Sequence, residues 1–188
     1  MYEVDGEKYE IEVAGLVGIL DEDYGIRWAM DLYAKKKQTT KDFGGAYFQP
    51  KLSFTNLINA DEYDRGLKYL HWHKAESYDR DIDDWIGDFY IFDAHHFNAS
   101  IKLQRKQADS FLLKMEGQVN LVWENVEEVN YKNFTIEVLV PFYGFKCPDH
   151  DREEAKSELE KHFDMDDFFW LEEDNKYFSD QMFSTVGP

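Results

Sequence analysis

The sequence predicts a single α+β domain rich in strands: an antiparallel sheet or β-sandwich of about seven strands with one or two helices, including a C-terminal helix. Between Phe97 and Phe145, apolar side chains recur at every second position over three successive segments. This is the period of a strand with one buried face. Aromatic residues make up 17% of the 188 residues, and such side chains favour pleated sheets. With no repeat or linker in sight, we expect residues 1–188 to form one domain.

The central stretch gives the clearest strand prediction. Its longest segment runs from Phe111 to Trp123, where Lys114, Glu116, Gln118 and Asn120 lie between apolar residues. Segments 97–103 and 134–140 repeat the pattern on either side. Three successive strands of period two favour an antiparallel meander.

Residues 9–13 also alternate, in a strand that we expect to continue to residue 19, and residues 24–32 alternate after the polar turn 21–23. A helix is an alternative for the second segment, because Ile26, Met30 and Tyr33 share one helical face. Five successive even-numbered apolar positions favour the strand. We therefore expect these two segments to form a hairpin.

The next elements are less regular. Residues 46–58 predict a strand that Pro50 places at a sheet edge or a bulge, since proline has no N–H for a ladder. Residues 61–74 fit a second helix capped by Asp61, although Gly66 weakens it by about 1 kcal/mol relative to alanine. The nearly continuous apolar run 85–92 is typical of a strand covered on both faces.

A helix is predicted after Pro148, which ends the last long strand. Asp151 is its N-cap, and Glu154 lies three residues on, where a capping-box partner belongs. Apolar residues recur every fourth position along it, which extends the helix to residue 163. These residues are Ala155, Leu159 and Phe163.

The charge of the chain is strongly negative and unevenly placed. Asp and Glu number 39 against 21 Lys and Arg, a formal net charge of −18. Residues 149–174 hold twelve acidic and three basic residues, and residues 61–93 hold ten and four. This balance disfavours direct binding to nucleic acid or to anionic membranes. It favours a basic partner.

The leading functional hypothesis is a non-enzymatic acidic binding protein that engages a basic protein, as immunity proteins, inhibitors and nucleic-acid mimics do. In the C-terminal acidic segment, carboxylates alternate with large apolar residues, a combination that suits hot spots and electrostatic steering. The alternative is an amphipathic helix whose aromatic residues are core. The predicted partner-binding residues are Glu153, Glu154, Asp164, Asp166, Asp167, Phe168, Trp170, Glu172 and Glu173.

A second hypothesis is a metal-dependent enzyme or a divalent-cation-binding module. Clustered carboxylates in the loop at residues 79–88 suit hard cations. An EF-hand is excluded, because Asp84 stands where the loop requires glycine and Tyr90 where it requires glutamate. The predicted ligands are Asp79, Asp81, Asp83, Asp84 and Asp88.

Histidines near this loop offer nitrogen ligands. On a strand, His71 and His73 would share one face, whereas on a helix they would lie on different faces. Asp93 and His95 would also share a face and could meet His71 or His73 in space. A transition-metal site needs three or four such ligands to converge, which the spacing alone does not require. The alternative is that these are ordinary histidines on an aromatic-rich sheet.

The remaining features indicate a reducing setting. Cys147 is the one cysteine, so no intrachain disulfide forms. Its acidic neighbours would raise the pKa of a thiol, which argues against a nucleophile paired with His150. The start of the chain lacks the regions of a signal peptide, and no apolar run reaches membrane-spanning length. We expect a cytoplasmic protein, and self-association through aromatic surface is a third functional hypothesis.

Overall fold

A computed structural model describes residues 1–38, 47–64, 68–79, 84–90, 94–120, 131–175 and 178–185. They form eighteen strands, one α-helix and one 3₁₀ helix. The strands up to residue 79 are β1 (Tyr2–Val4), β2 (Glu7–Tyr9), β3 (Ile11–Asp21), β4 (Gly25–Ala34), β5 (Lys37–Gln38), β6 (Tyr47–Phe48), β7 (Lys51–Leu57), β8 (Glu62–Tyr63), β9 (Tyr69–Glu76) and β10 (Tyr78–Asp79). The later elements are β11 (Asp84–Trp85), β12 (Gly87–Tyr90), β13 (Ala94–His95), β14 (Phe97–Gln107), β15 (Ser110–Asn120), β16 (Tyr131–Lys146), α1 (Arg152–Leu159), the 3₁₀ helix (Met165–Asp167), β17 (Phe168–Asn175) and β18 (Phe178–Thr185).

The long strand β16 belongs to two half-sheets. Its first part lies between β15 and β1, in the order β8-β9-β14-β15-β16-β1-β2, which we call the first half-sheet. Its last part lies between β3 and β18, in the order β13-β12-β7-β4-β3-β16-β18-β17, which we call the second half-sheet. Fourteen of the described strands thereby join in one curled sheet, and β5-β6 and β10-β11 are separate two-stranded ladders.

The β-rich class is confirmed, but the antiparallel sheet of about seven strands was wrong in detail. The pair β3–β16 is parallel, with Leu16 opposite Phe142, so the sheet is mixed. The strand count is higher because several strands are two to four residues long, too short for alternation to reveal them.

The change of half-sheet within β16 occurs near Gly144. The register with β3 shifts between Phe142 and Phe145, and Gly144 has a φ of 111° that other residues rarely adopt. Upstream, Pro141 is the last residue of β16 paired with β15, opposite Ser110. The strand therefore leaves one neighbour and gains two others over a few residues.

The core lies between the two half-sheets. The ring of Trp28 in β4 lies 6.2 Å from that of Phe111 in β15. The ring of Phe89 in β12 lies 4.9 Å from that of Phe134 in β16. Such aromatic pairs contribute about 0.5–1.5 kcal/mol each beyond the area they bury. The half-sheets therefore pack face to face through their aromatic residues.

The predicted meander is confirmed as β14, β15 and β16, paired antiparallel over most of their lengths. The alternate apolar residues of β15 face the core, and Trp123 lies outside the described residues. The predicted hairpin is confirmed as β3 and β4. In β3, the positions that face the core change at a register shift between Ile11 and Val13. As a result, Val13 is exposed and Leu16 is buried.

Two strand predictions need correction. The strand β7 lies between β4 and β12 rather than at an edge, because Pro50 precedes the strand and its carbonyl accepts a bond from Ala34 N. The alternative of a bulge is met away from Pro50, where the register with β4 shifts between Phe54 and Leu57. The run 85–92 is not covered on both faces. Its strand β12 buries Phe89 but exposes Tyr90, and residues 91–92 lie outside the described chain.

The helix at residues 61–74 was wrong, since β8 and β9 occupy its described part. The alternation of β9 allows Trp72 to face the core and to pair with Ile101 of β14. The C-terminal helix is confirmed as α1, with the Asp151 cap and its capping box, but it ends at Leu159. Within the described residues, no helix has the length and apolar character needed to cross a membrane.

Candidate functional site

An acidic groove runs between α1 and the turn that joins β3 to β4. Its volume is about 760 Å³. Among the described residues, none that lines it is a lysine or an arginine. Its five carboxylate side chains are Asp21, Glu22, Glu153, Glu154 and Glu158.

The first turn of α1 supplies two of these carboxylates. Asp151 Oδ1 accepts hydrogen bonds from the backbone N–H groups of Glu153 and Glu154, at 2.9 and 3.0 Å. Buried Ala155 and Leu159 anchor the inner face of the helix. Carboxylates near a helix N-terminus are stabilised by its dipole. The local sequence thus folds so as to place negative charge at the groove.

The turn from β3 to β4 supplies Asp21 and Glu22. Asp21 Oδ1 accepts bonds from the N–H groups of Asp23 and Tyr24, at 3.0 and 3.1 Å. Arg27 Nε lies 2.9 Å from Asp21 Oδ2. Burial alone would raise the pKa of Asp21, but the two N–H groups and Arg27 together lower it. Asp21 is therefore held as an anion by its own turn.

The groove carboxylates differ in how far the chain neutralises them. Glu158 Oε2 accepts a bond from Lys161 Nζ at 2.5 Å, and this bond lowers the pKa of Glu158. Asp21 has Arg27. No described residue forms an ion pair with Glu22, Glu153 or Glu154. Glu154 Oε2 accepts a bond from the backbone N–H of Asp151 at 3.3 Å as part of the capping box, but the negative charge of all three carboxylates is left without a cation in the described part of the chain.

An apolar pocket of about 350 Å³ adjoins the groove. The two share Leu20, Gly25 and Glu158 in their linings. Tyr24 and Tyr63 also line the pocket and are 48% and 57% exposed. Apolar and charged surfaces therefore meet along one continuous depression beside α1.

The structure separates the predicted partner-binding residues. Glu153 and Glu154 line the groove, and Asp164 and Asp166 are exposed beyond the helix, with Asp164 capping the 3₁₀ helix. Of Asp167, Glu172 and Glu173 only the backbone is described.

The two aromatic residues of that set face inward. Phe168 is 8% exposed, and its ring lies 5.4 Å from that of Phe145. The ring therefore belongs to the core, and its role as a contact for a partner stays a prediction. Trp170 is half-buried and packs against the same core. For these two side chains, the alternative stated above, that the aromatic residues belong to the core, is therefore correct.

Sequence reasoning missed the contribution of the β3–β4 turn. Asp21 and Glu22 were assigned to a polar turn, and Tyr24 to a strand. The adjacent acidic residues 21–23 were the available signal, but nothing in the sequence places this turn against α1. That proximity depends on the parallel pairing of β3 with β16.

The aspartate loop is only partly described. Asp79 and Asp84 are paired residues of β10 and β11, and Asp81 and Asp83 lie outside the described residues. Asp88 Oδ2 accepts a bond from the hydroxyl of Tyr90 at 3.0 Å. A cation site in this loop stays a prediction.

The histidines of β9 do share a face. The rings of His71 and His73 lie 4.1 Å apart between centroids. Glu62 of β8 is paired with His71 in register, and its carboxylate lies 3.1 Å from His73 Nε2. Asp93 lies outside the described residues, and only the backbone of His95 is described.

Glu62 was missed as a neighbour of these histidines, because residues 61–74 were interpreted as a helix. Reading segments 62–63 and 69–76 as a hairpin would have placed Glu62 opposite His71. A predicted hairpin would therefore have identified Glu62, whereas the predicted helix did not.

Cys147 is fully buried, and its Sγ donates to Phe145 O at 3.6 Å.

Comparison of the chain with protein-family models, with curated proteins and with solved structures finds no significant match.

Proposed function

We propose that this protein is a non-enzymatic binding protein whose acidic groove receives a basic segment of a protein partner. The observation that carries the proposal is the contiguity of the groove with the apolar pocket. One extended segment could place cationic side chains in the former and an aromatic or aliphatic side chain in the latter. Such a combination of charge and apolar anchor is typical of interface hot spots.

Arginine is the side chain best suited to the groove. Its planar guanidinium can pair with a carboxylate through two parallel hydrogen bonds. Glu22, Glu153 and Glu154 offer such carboxylates without an ion-pair partner in the described part of the chain. The net charge of −18 would also accelerate the approach of a basic partner at low salt. Inhibition of a basic toxin or of a nucleic-acid-binding enzyme fits this chemistry.

The test uses a labelled peptide with four arginines and one tryptophan, titrated by fluorescence anisotropy at about 50 and 300 mM salt. We expect binding that weakens with salt. A peptide with glutamates in place of the arginines should not bind. A partner whose binding ignores salt would contradict the proposal.

Variants locate the binding. Replacing Glu22, Glu153 and Glu154 together by glutamine should weaken binding at least about tenfold, or 1.4 kcal/mol. The matched control replaces Glu12, Glu116 and Glu137 by glutamine. These exposed residues lie on β3, β15 and β16 outside the groove lining, and the change in net charge is the same. Equal weakening by both triple variants would show that only overall charge matters and would refute the groove as the site.

A further inference from the structure

We propose that Glu62, His71 and His73 bind one divalent transition-metal ion of the zinc type on the outer face of the β8–β9 edge. The ligand atoms are a carboxylate oxygen of Glu62, Nδ1 of His71 and Nε2 of His73. The site is separate from the acidic groove, so the proposal does not depend on the proposed function.

The distances suit a single ion. The three ligand atoms all lie within 4.8 Å of one another. Glu62 Oε1 is 3.1 Å from His73 Nε2, and Glu62 Oε2 is 3.7 Å from His71 Nδ1. A tetrahedral zinc ion with bonds of about 2.0–2.1 Å separates its ligands by about 3.4 Å. The side chains can therefore close around one point without movement of the backbone.

The strand geometry explains why the rings converge. His71 and His73 are two residues apart on β9, so both project from the same face. Trp72 between them points into the core and donates from Nε1 to Ile58 O at 2.7 Å. The backbone N–H of His73 donates to Asp61 Oδ2 at 2.6 Å. These two bonds hold the segment before β8 against β9 and fix Glu62 beside both rings.

Ser100 of β14 orients the more buried ring. Its hydroxyl lies 3.1 Å from His71 Nε2. When Nε2 carries the hydrogen and donates it to Ser100, Nδ1 presents its lone pair toward Glu62. Metal-binding histidines are usually held in this way by a hydrogen bond from the nitrogen that does not bind the metal. The hydrogen bond with Ser100 thus fixes the orientation of one metal-binding ring.

The donor set selects the class of metal. Two imidazoles and one carboxylate suit Zn²⁺, Co²⁺, Ni²⁺ or Cu²⁺, whereas Ca²⁺ and Mg²⁺ prefer oxygen ligands. The side chains of Glu62 and His73 are both 55% exposed. A fourth position on the ion would therefore face solvent, where water or a donor from another molecule can bind.

The test uses the full chain without a histidine tag, stripped by a chelator and dialysed. Titration with Zn²⁺ against a chromogenic chelator should give one bound ion per chain, and Mg²⁺ and Ca²⁺ should give none. Co²⁺ should give the intense visible absorption of a four-coordinate site. Failure to retain Zn²⁺ against the chelator would overturn the proposal and leave the groups as an exposed ion pair.

Variants assign the ligands. His73→Ala and Glu62→Gln alter exposed side chains and should each weaken Zn²⁺ binding at least about tenfold and abolish the Co²⁺ absorption. Ser100→Ala should weaken binding about 10- to 100-fold while the stoichiometry stays at one. His96→Ala, at an exposed histidine outside the cluster, should change nothing. Zinc binding that survives both His73→Ala and Glu62→Gln would refute the assignment.

Discussion

The guanidinium of Arg27 lies 2.9 Å from the carboxylate of Asp21, across the turn that forms one wall of the acidic groove. Arg27 also donates from Nη1 to Asn56 Oδ1 of β7. The pair therefore fastens the β3–β4 turn to the neighbouring strand. Asp21 stabilises the turn that forms the groove, whereas Glu22, Glu153 and Glu154 are the residues proposed to bind the basic partner.

We expect Asp21→Asn to lower the free energy of unfolding by about 0.5–1 kcal/mol at pH 7, because an amide oxygen can still accept from the two N–H groups while the negative charge beside Arg27 is lost. The pKa of Asp21 is lowered in the folded protein. Its stabilisation is therefore present above about pH 3.9, the ordinary carboxyl value, and is lost as the pH falls through the lower folded pKa. Urea denaturation at pH 7 and pH 3 should show the gap to wild type closing at low pH. A gap of equal size at both pH values, or an equal effect of Glu22→Gln, would contradict this.

Tyr2→Phe should stabilise the protein by about 1 kcal/mol, because a buried hydroxyl without a partner is unfavourable. Tyr2 is fully buried, and its Oη has no hydrogen bond to a described residue. Burial, with a smaller contribution from Tyr9, raises the pKa of Tyr2 well above its usual value.

The raised pKa gives Tyr2 a pH dependence at the alkaline end. Below about pH 10, Tyr2 is neutral in both states and the free energy of unfolding does not depend on its ionisation. As the pH rises further, Tyr2 ionises readily only in the unfolded chain, so the free energy of unfolding falls. Urea denaturation between pH 8 and pH 11 should show a shallower decline for Tyr2→Phe. Part of the decline should persist, because burial raises the pKa of Tyr9 to about 12 as well. Destabilisation by this variant at pH 8 would refute the prediction.

Gly117→Ala should destabilise the protein by more than about 2 kcal/mol, because overpacking against backbone forces the strands apart. A Cβ at Gly117 would lie 2.3 Å from Asn98 O and 2.6 Å from the Cβ of Ala99. Gly15→Ala is the matched control, since the three atoms nearest to its Cβ would all belong to the exposed ring of Tyr143, the closest at 2.8 Å. That ring can rotate away, so we expect a loss within about 1 kcal/mol. Thermal denaturation of both variants checks the order.

Asp151→Ala should lower stability by about 1 kcal/mol, the usual effect of removing an N-cap. It removes the acceptor for the N–H groups of Glu153 and Glu154. If the groove binds a basic segment as proposed, this variant should also weaken the binding of the arginine peptide, because the first turn of α1 becomes less ordered. Glu160→Ala, at the other end of the helix, should leave both measurements nearly unchanged. Equal losses from the two variants would contradict a specific role for the cap.

The sequence predicted elements whose signal is local. The meander β14–β16 has long, regular alternation, and the capping box of α1 is contained in four residues. The helix predicted for residues 61–74 was wrong, because Tyr63, Leu67 and Leu70 have a spacing that also fits one face of a helix. Pairing of β9 with β14 decided that region, and tertiary pairing routinely overrides local propensity.

The groove and the histidine cluster depend on distant pairings. The turn at Asp21 meets α1 only because β3 adds to β16 in parallel, and no periodicity encodes that choice. The histidine cluster was half predicted. The shared face of His71 and His73 follows from strand geometry, but the third member was sought at Asp93 and His95. Within the described residues, the carboxylate that lies beside both rings belongs to the hairpin partner, Glu62.

The double membership of β16 also bears on how the chain folds. Tyr2 pairs with Ile136, and Leu16 with Phe142, so contacts near the beginning of the sequence require residues more than a hundred positions later. Such topologies fold slowly, because loop closure precedes the gain from pairing. At about 5–20 residues per second of synthesis, the partner strand of β1 and β3 would be made roughly 6–27 s after them. During that interval their apolar faces are open to chaperones and to aggregation.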